Sequence, residues 1–391
     1  LETVNRYDKA PDPGAVQDLA DRMFEALARH FPVCSASDEF HYFPQAQPSE
    51  HDWSRWDDFS PDAVDEAAGK LSAWEKELSG LEAKEVDRHT RVDVSTLCQV
   101  ARTLREQLME VRSHQTQPTL YLTIAGIGLA EALDENPTAW MERVESLPAF
   151  LDRARSHLRQ IPSLFRDIGL EMIGPTRSWL ASLSPIRPGV EPVLEALDRF
   201  EGHLRQASLR DTFVLAPELL ERIVRDHMGC GMGPDGARKA LDEEIQEMKQ
   251  NMDKEATRLS PGRTWQEAFE AIALPGLPDD GLMGLYREAV SALGRHCLEQ
   301  GLVPPGLFRS CPVRVEPVPS YLTTIRSAAA YSVPPGHPPC GGTFFVIDGD
   351  NPEALAHALY RDYRMLAAHE TYPGHHLLDA SRWGLERALR R

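Results

Sequence analysis

Apolar residues recur at intervals of three and four along most of the chain, and this pattern predicts a mainly α-helical protein. Over 15–29 they fall at Val16, Leu19, Met23, Phe24 and Leu27, one buried helical face. A polar, aromatic loop follows, and Ser60-Pro61-Asp62 is then a helix start, an N-cap residue with proline in the first turn. Helices are predicted over 63–78, 87–112 and 119–133, and another from Pro137 through Trp140, Val144, Leu147 and Leu151. Pro162, Gly169, Gly174-Pro175 and the cluster from Ser184-Pro185 to Pro188-Gly189 punctuate the middle. Further helices are expected over 191–207, 217–228 and 236–259. In the last of these, Glu243, Glu244 and Glu247 read as a solvated face.

The pattern changes after residue 302. Pro304-Pro305, Pro312, Pro317 and Pro319 break helix, while Val313 and Val315 alternate with Arg314 and Glu316 in a short strand-like run. Clearer strands are predicted over 327–333 and 342–347, followed by a helix over 352–368. The chain is therefore expected to divide into a helical region, 1–302, forming the walls of a cleft, and a β element with a terminal helix, 303–391.

Composition narrows the functional classes. The formal net charge is −18, with 42 Lys and Arg against 60 Asp and Glu. That balance disfavours nucleic acid and anionic membrane surfaces as partners. No apolar run approaches the roughly 18 residues that span a bilayer, and no secretory leader is visible. Six scattered cysteines without a C-x-x-C pair suit reduced thiols and a cytoplasmic location, although the start at Leu1 leaves a secreted or periplasmic one open. Cys340, near the candidate chemistry, reads as a small loop residue.

That chemistry lies in His369-Glu370-Thr371-Tyr372-Pro373-Gly374-His375-His376. Neighbouring helical residues point about 100° apart, so His369 can face a metal while Glu370 reaches past it to an attacking water. A second His six or seven residues on cannot share that ion in a regular helix, because the rise is about 9–10.5 Å. Pro373 lacks an N–H and would clash with the carbonyl of His369, so the helix must break there. Gly374 permits the turn that follows. A broken turn at Tyr372-Pro373-Gly374 can then swing a His back toward His369, and either His375 or His376 fits that part.

This motif, continued by Leu377, resembles the signature of a bacterial family catalogued as domain of unknown function number eight hundred eighty-five, grouped with gluzincin-like zinc peptidases. Ala330-Tyr331-Ser332-Val333-Pro334-Pro335 and Gly342-Thr343-Phe344-Phe345-Val346 are similar to the segment before the metal helix, and Leu147-Pro148-Ala149-Phe150-Leu151 to a stretch of its helical region. Leu378 departs from the Gln often found there. The resemblance implies a large helical metallopeptidase-like fold with a small β element. It also implies a Zn2+ ion held by His369 and His375, and Glu370 as general base. His376 is the alternative second ligand, or otherwise a group touching substrate or transition state. The implied substrate is a peptide or small amide.

Tyr331 is a candidate hydrogen-bond donor to a developing oxyanion, with Tyr372 and His337 as weaker candidates. A strand edge beside the metal helix would seat an extended peptide, and Gly341-Gly342 would let its backbone approach. The family's third ligand, a Glu on a following helix, has no clear counterpart. Glu386 lies in a dissimilar context and Asp379 is too near the motif, so the chain is expected to be truncated at its C-terminus. The competing readings are a pseudopeptidase or helical binding protein that has lost the ion, and a zinc hydrolase of a non-peptide amide or ester.

Overall fold

The computed structural model describes residues 13–37, 40, 42–45, 52–82, 87–183, 189–318, 329–332, 338–347 and 359–385. The fold is mainly α, as the hydrophobic period predicts. Two compact units can be distinguished, one built from Leu1–Leu215 and the other from Ala216–Val318 with Ser327–Leu385. Each has its own apolar core.

Among the described residues the first unit packs seven long helices: α1 (Pro13–His30), α2 (Pro61–Glu82), α3 (Arg88–Glu106), α4 (Pro118–Glu135), α5 (Pro137–His157), α6 (Ser163–Leu183) and α7 (Glu191–Gln206). Their starts follow local rules. Asp87 caps α3 by accepting from the backbone N–H groups of His89 and Thr90, and Asn136 caps α5 from Thr138 and Ala139. Val16, Leu19, Met23 and Leu27 form the buried stripe of α1. Arg143 of α5 is wholly buried, its guanidinium donating to the carbonyls of Gly128 and Arg55 and lying over the Trp56 ring. Those acceptors and that ring offset the desolvation of the charge.

One departure from the local signals is α6, which runs unbroken through Gly169, Gly174 and Pro175. Gly169, Ile173, Thr176 and Leu180 bury one face against the core, and the Thr176 hydroxyl donates to the Met172 carbonyl. Burial of that face outweighs the lost hydrogen bond at Pro175.

The second unit holds α8 (Pro234–Leu259) and α9 (Gly281–Glu299), the latter in a stretch to which the pattern above assigns no element. A three-stranded sheet follows, made of β1 (Val313–Pro317), β2 (Ala329–Ser332) and β3 (Gly342–Val346) in the order β1-β3-β2. All three expected strand segments thus have strand within the described residues. β1 runs parallel to β3, with Val315 opposite Phe344; β2 runs antiparallel, with Tyr331 opposite Phe344. Phe344 and Val346 are buried, and the Phe344 ring meets Tyr286 of α9 edge-on at 5.6 Å.

The predicted helix over 352–368 is seen in its second half. After a bend at Asp362, α10 (Tyr363–Glu370) leads to the turn at Thr371–Gly374, and α11 (His375–Trp383) follows. Residues 351–358 lie outside the described residues.

Candidate metal centre

α10 ends at Glu370, three residues before Pro373, and a new helix begins at His375. The break is a hydrogen-bonded turn. Thr371 is wholly buried, its N–H and hydroxyl both donating to the Ala367 carbonyl at 2.9 and 2.6 Å. Gly374 N–H donates to the Ala368 carbonyl at 3.0 Å, and Leu377 N–H to Thr371 at 3.3 Å. The Tyr372-Pro373 peptide bond is cis. Gly374 is required by a close approach: a Cβ there would lie 1.8 Å from the carbonyl oxygen of His369 and 2.5 Å from that of Ala368. Only a residue without a side chain lets the turn fold back over the end of α10.

That fold-back brings the ring of His375 to 4.8 Å from the ring of His369, centroid to centroid, with the planes at 89°. Both imidazoles are exposed, and Glu370, next to His369, is half-buried. The turn therefore brings together three of the expected site residues, His369, Glu370 and His375. Among the described residues no set of three His, Cys, Asp or Glu side chains is placed around a common point. Asp379 pairs with Arg382 at 3.4 Å, and Glu386 and His337 lie outside the described residues.

His376 and Tyr331 form a second arrangement. His376 is 1% exposed, and its Nδ1 lies 2.7 Å from the Tyr331 hydroxyl. The rings of Tyr331 and Tyr372 meet the imidazole at 5.6 and 4.9 Å, both close to perpendicular. Burial depresses the imidazole to a pKa of about 4, with a backbone hydrogen bond to Cys311 working weakly the other way. The side chain is thus neutral near pH 7. Burial also raises the Tyr331 phenol, and it pushes Tyr372 up to about 12.

Two glycines make room for these rings. A Cβ on Gly342 would lie 2.1 Å from the Tyr331 hydroxyl, so Tyr331 leans across β3 over a position that has no side chain. The space above Gly342 is filled by this protein's own tyrosine, which corrects the expectation that it receives a substrate backbone. β3 is also the central strand, so among the described residues the sheet's edges are β1 and β2. In α9, a Cβ on Gly294 would lie 3.0 Å from the Tyr372 ring. The contacts made by Gly294 and by the Cys311 backbone are not anticipated from the sequence. A lone glycine within a helical apolar period was the available signal for the first, and the second has none, because a backbone contact leaves no mark on residue type.

None of the six cysteines is in a disulfide; Cys34, Cys98, Cys297 and Cys311 are buried, and Cys230 and Cys340 exposed. Among the described residues no helix is long and apolar enough to cross a membrane.

Residues 180–380 match the sequence profile of DUF885, described as a bacterial protein of unknown function. No curated protein matches the chain. Among solved structures, a candidate lipoprotein of unknown function from Shewanella oneidensis has a similar fold. Its TM-score is 0.67 at 15% identity, over 96% of this chain and 74% of that one. A candidate lipoprotein from Colwellia psychrerythraea is also similar, with a TM-score of 0.62 at 14% identity over 94% of this chain and 72% of that one. At such identities the likeness concerns the fold.

Proposed function

The chain belongs to the DUF885 family of bacterial proteins, and on that premise we propose that it is a zinc-dependent hydrolase that cleaves peptide bonds. The observation that carries this reading is the approach of His375 to His369 across the Pro-Gly turn, with Glu370 beside them. Two exposed imidazoles at 4.8 Å fit the nitrogen-donor half of a zinc site. The ion would supply Lewis acidity, polarising a scissile carbonyl and making water acidic enough to deprotonate near neutral pH.

Glu370 would accept the proton of the attacking water and deliver it to the leaving amine. His375, exposed at the first position of α11, suits a ligand. His376 has one ring nitrogen on Tyr331 and a backbone bond to Cys311, which suits a residue that positions the turn. The same commitment of the Tyr331 hydroxyl favours a positioning role over an oxyanion donor. The description of both structural neighbours as candidate lipoproteins supports placing this protein at the cell envelope, rather than in the cytoplasm that cysteines outside any disulfide suggest.

The test is elemental analysis of the purified protein, paired with assay of Glu370→Gln on peptide and ester panels. The reading requires zinc in both proteins and cleavage of peptides in the wild type alone. Zinc with Glu370-dependent ester cleavage only would redirect the substrate class. Absence of both metal and Glu370-dependent turnover would overturn the proposal in favour of a binding protein.

A further inference from the structure

α8 stands out among the helices because its middle packs against nothing among the described residues. Residues 238–251 are exposed on every side. An exposed helix is ordinarily polar all round, yet this one carries Leu241, Ile245 and Met248 at 61%, 44% and 54% exposure. They belong to a longer series, Arg238, Leu241, Ile245, Met248, Met252, Glu255 and Leu259, spaced alternately by three and four. That spacing is the heptad seam of a coiled coil, with apolar residues in the centre and one charge toward each end.

We infer that α8 is a dimerisation helix that pairs antiparallel with α8 of a second copy of this chain. The occupant and its direction follow from the two charges in the seam. In a parallel pair Arg238 would face Arg238 and Glu255 would face Glu255, two like-charge contacts inside an apolar interface. Reversing one helix about a twofold axis between Gln246 and Glu247 places Arg238 opposite Glu255 of the second copy, at both ends. The same operation sets Ile245 against Met248 and Leu241 against Met252, so the apolar positions meet only apolar ones. On one flank it brings Asp242 to Lys249 of the second copy. The contact is self-complementary, as a closed twofold interface requires.

The intrahelical ion pairs prepare the ends of the seam. Arg238 lies 3.6 Å from Asp235, and Glu255 lies 2.8 Å from Arg258. Antiparallel pairing joins each Asp235–Arg238 pair to a Glu255–Arg258 pair of the other copy, forming a four-charge network of alternating sign at each end. Exposed single pairs contribute little, but several charges joined in a network contribute more. The surface is separate from the His369–His375 turn, and the inference does not depend on the proposed hydrolase activity.

Light scattering coupled to size-exclusion chromatography, run over a hundredfold range of concentration on the whole chain, tests it. The expected result is a dimer that dissociates on dilution. Ile245→Glu should yield a monomer with unchanged helical circular dichroism. Arg238→Glu and Glu255→Arg should each weaken the dimer at least tenfold, and the double variant should recover it. In a parallel pair neither single reversal would weaken the dimer, since like charges would face each other before and after the change. A monomer at every concentration would overturn the inference. A dimer indifferent to Ile245→Glu would do so equally. A monomer whose α8 amides are protected from hydrogen exchange would assign the seam to another segment or partner, and would also refute it.

Discussion

The Tyr331 hydroxyl lies 2.7 Å from Nδ1 of His376, joining β2 to the first turn of α11 across 45 positions of sequence. This bond fixes the helix that carries His375 to the sheet, because His376 is buried between two tyrosine rings while its neighbour stays exposed. A buried hydrogen bond of this kind contributes about 1 kcal/mol net, and orphaning one partner costs roughly 1–3 kcal/mol. Tyr331→Phe should therefore destabilise the protein by about 1–2 kcal/mol. His376→Ala, which also removes packing, should cost about 2–4 kcal/mol. In denaturant titrations the double variant should fall short of the sum by about 1 kcal/mol. Strict additivity would mean that the two groups do not act as a pair.

Gly342 gives that pair its geometry. A methyl group there would lie 2.1 Å from the Tyr331 hydroxyl and 2.7–2.8 Å from its ring carbons and force the ring off the strand. Gly342→Ala should thus reproduce the Tyr331→Phe loss with added strain of about 1–2 kcal/mol, typical of overpacking. The damage should be smaller when Tyr331→Ala is already present, because the obstructing ring has gone. Equal damage in both backgrounds would place the cost in the backbone of β3 instead.

If the proposed zinc site is present, the two histidines that follow Gly374 should separate cleanly in metal binding. His369→Ala and His375→Ala remove exposed side chains, and each should abolish zinc retention while leaving thermal unfolding within about 0.5 kcal/mol of the metal-free wild type. His376→Ala should retain zinc stoichiometry and lose stability. Gly374→Ala should lose both, since its Cβ would collide with the His369 carbonyl and push the turn open. Zinc analysis of the four variants, read beside their melting curves, checks this. Zinc loss in His376→Ala with zinc kept in His375→Ala would reverse the assignment of the second ligand.

Much of this was legible in the sequence where the determinant was local. The apolar period marks α1, α2, α4 and α5, and Pro373-Gly374 announces a break that does bring a histidine back to His369. α6 was harder, because Gly174-Pro175 reads as an interruption until the burial of Ile173, Thr176 and Leu180 is known. The Tyr331–His376 contact was not legible either. Both residues stand out in the sequence, but their meeting depends on β2 pairing with β3 in a register that sets Tyr331 opposite Phe344 and over Gly342. The sequence suggested a substrate approach at Gly342 because a glycine records only that something comes close. Whether that is a ligand or the protein's own side chain is decided by tertiary structure.

Two buried groups in the first unit should give opposing pH dependences. His114 stacks on Phe59 at 5.6 Å and is 4% exposed; burial, then the neighbouring His157 and Arg112, lower its pKa to about 4. The unfolded chain therefore binds more protons than the folded one between about pH 4 and 6.5. The stability His114 contributes is present above pH 6.5 and is lost as pH falls toward 4. Asp57 accepts from the backbone N–H groups of Val33 and Cys34, but burial dominates and raises its carboxyl to about 6. Here the folded state binds the extra proton, so stability is lost as pH rises from about 4 to 6. Each effect is on the order of 3 kcal/mol at most, and between pH 4 and 6 they offset one another. Hydrogen exchange of the buried amides of α5 should separate them. Relative to wild type, His114→Gln should lose stability as pH rises through that window, and Asp57→Asn should gain it. Parallel profiles for the two variants would show that neither group titrates with the burial it has in this fold.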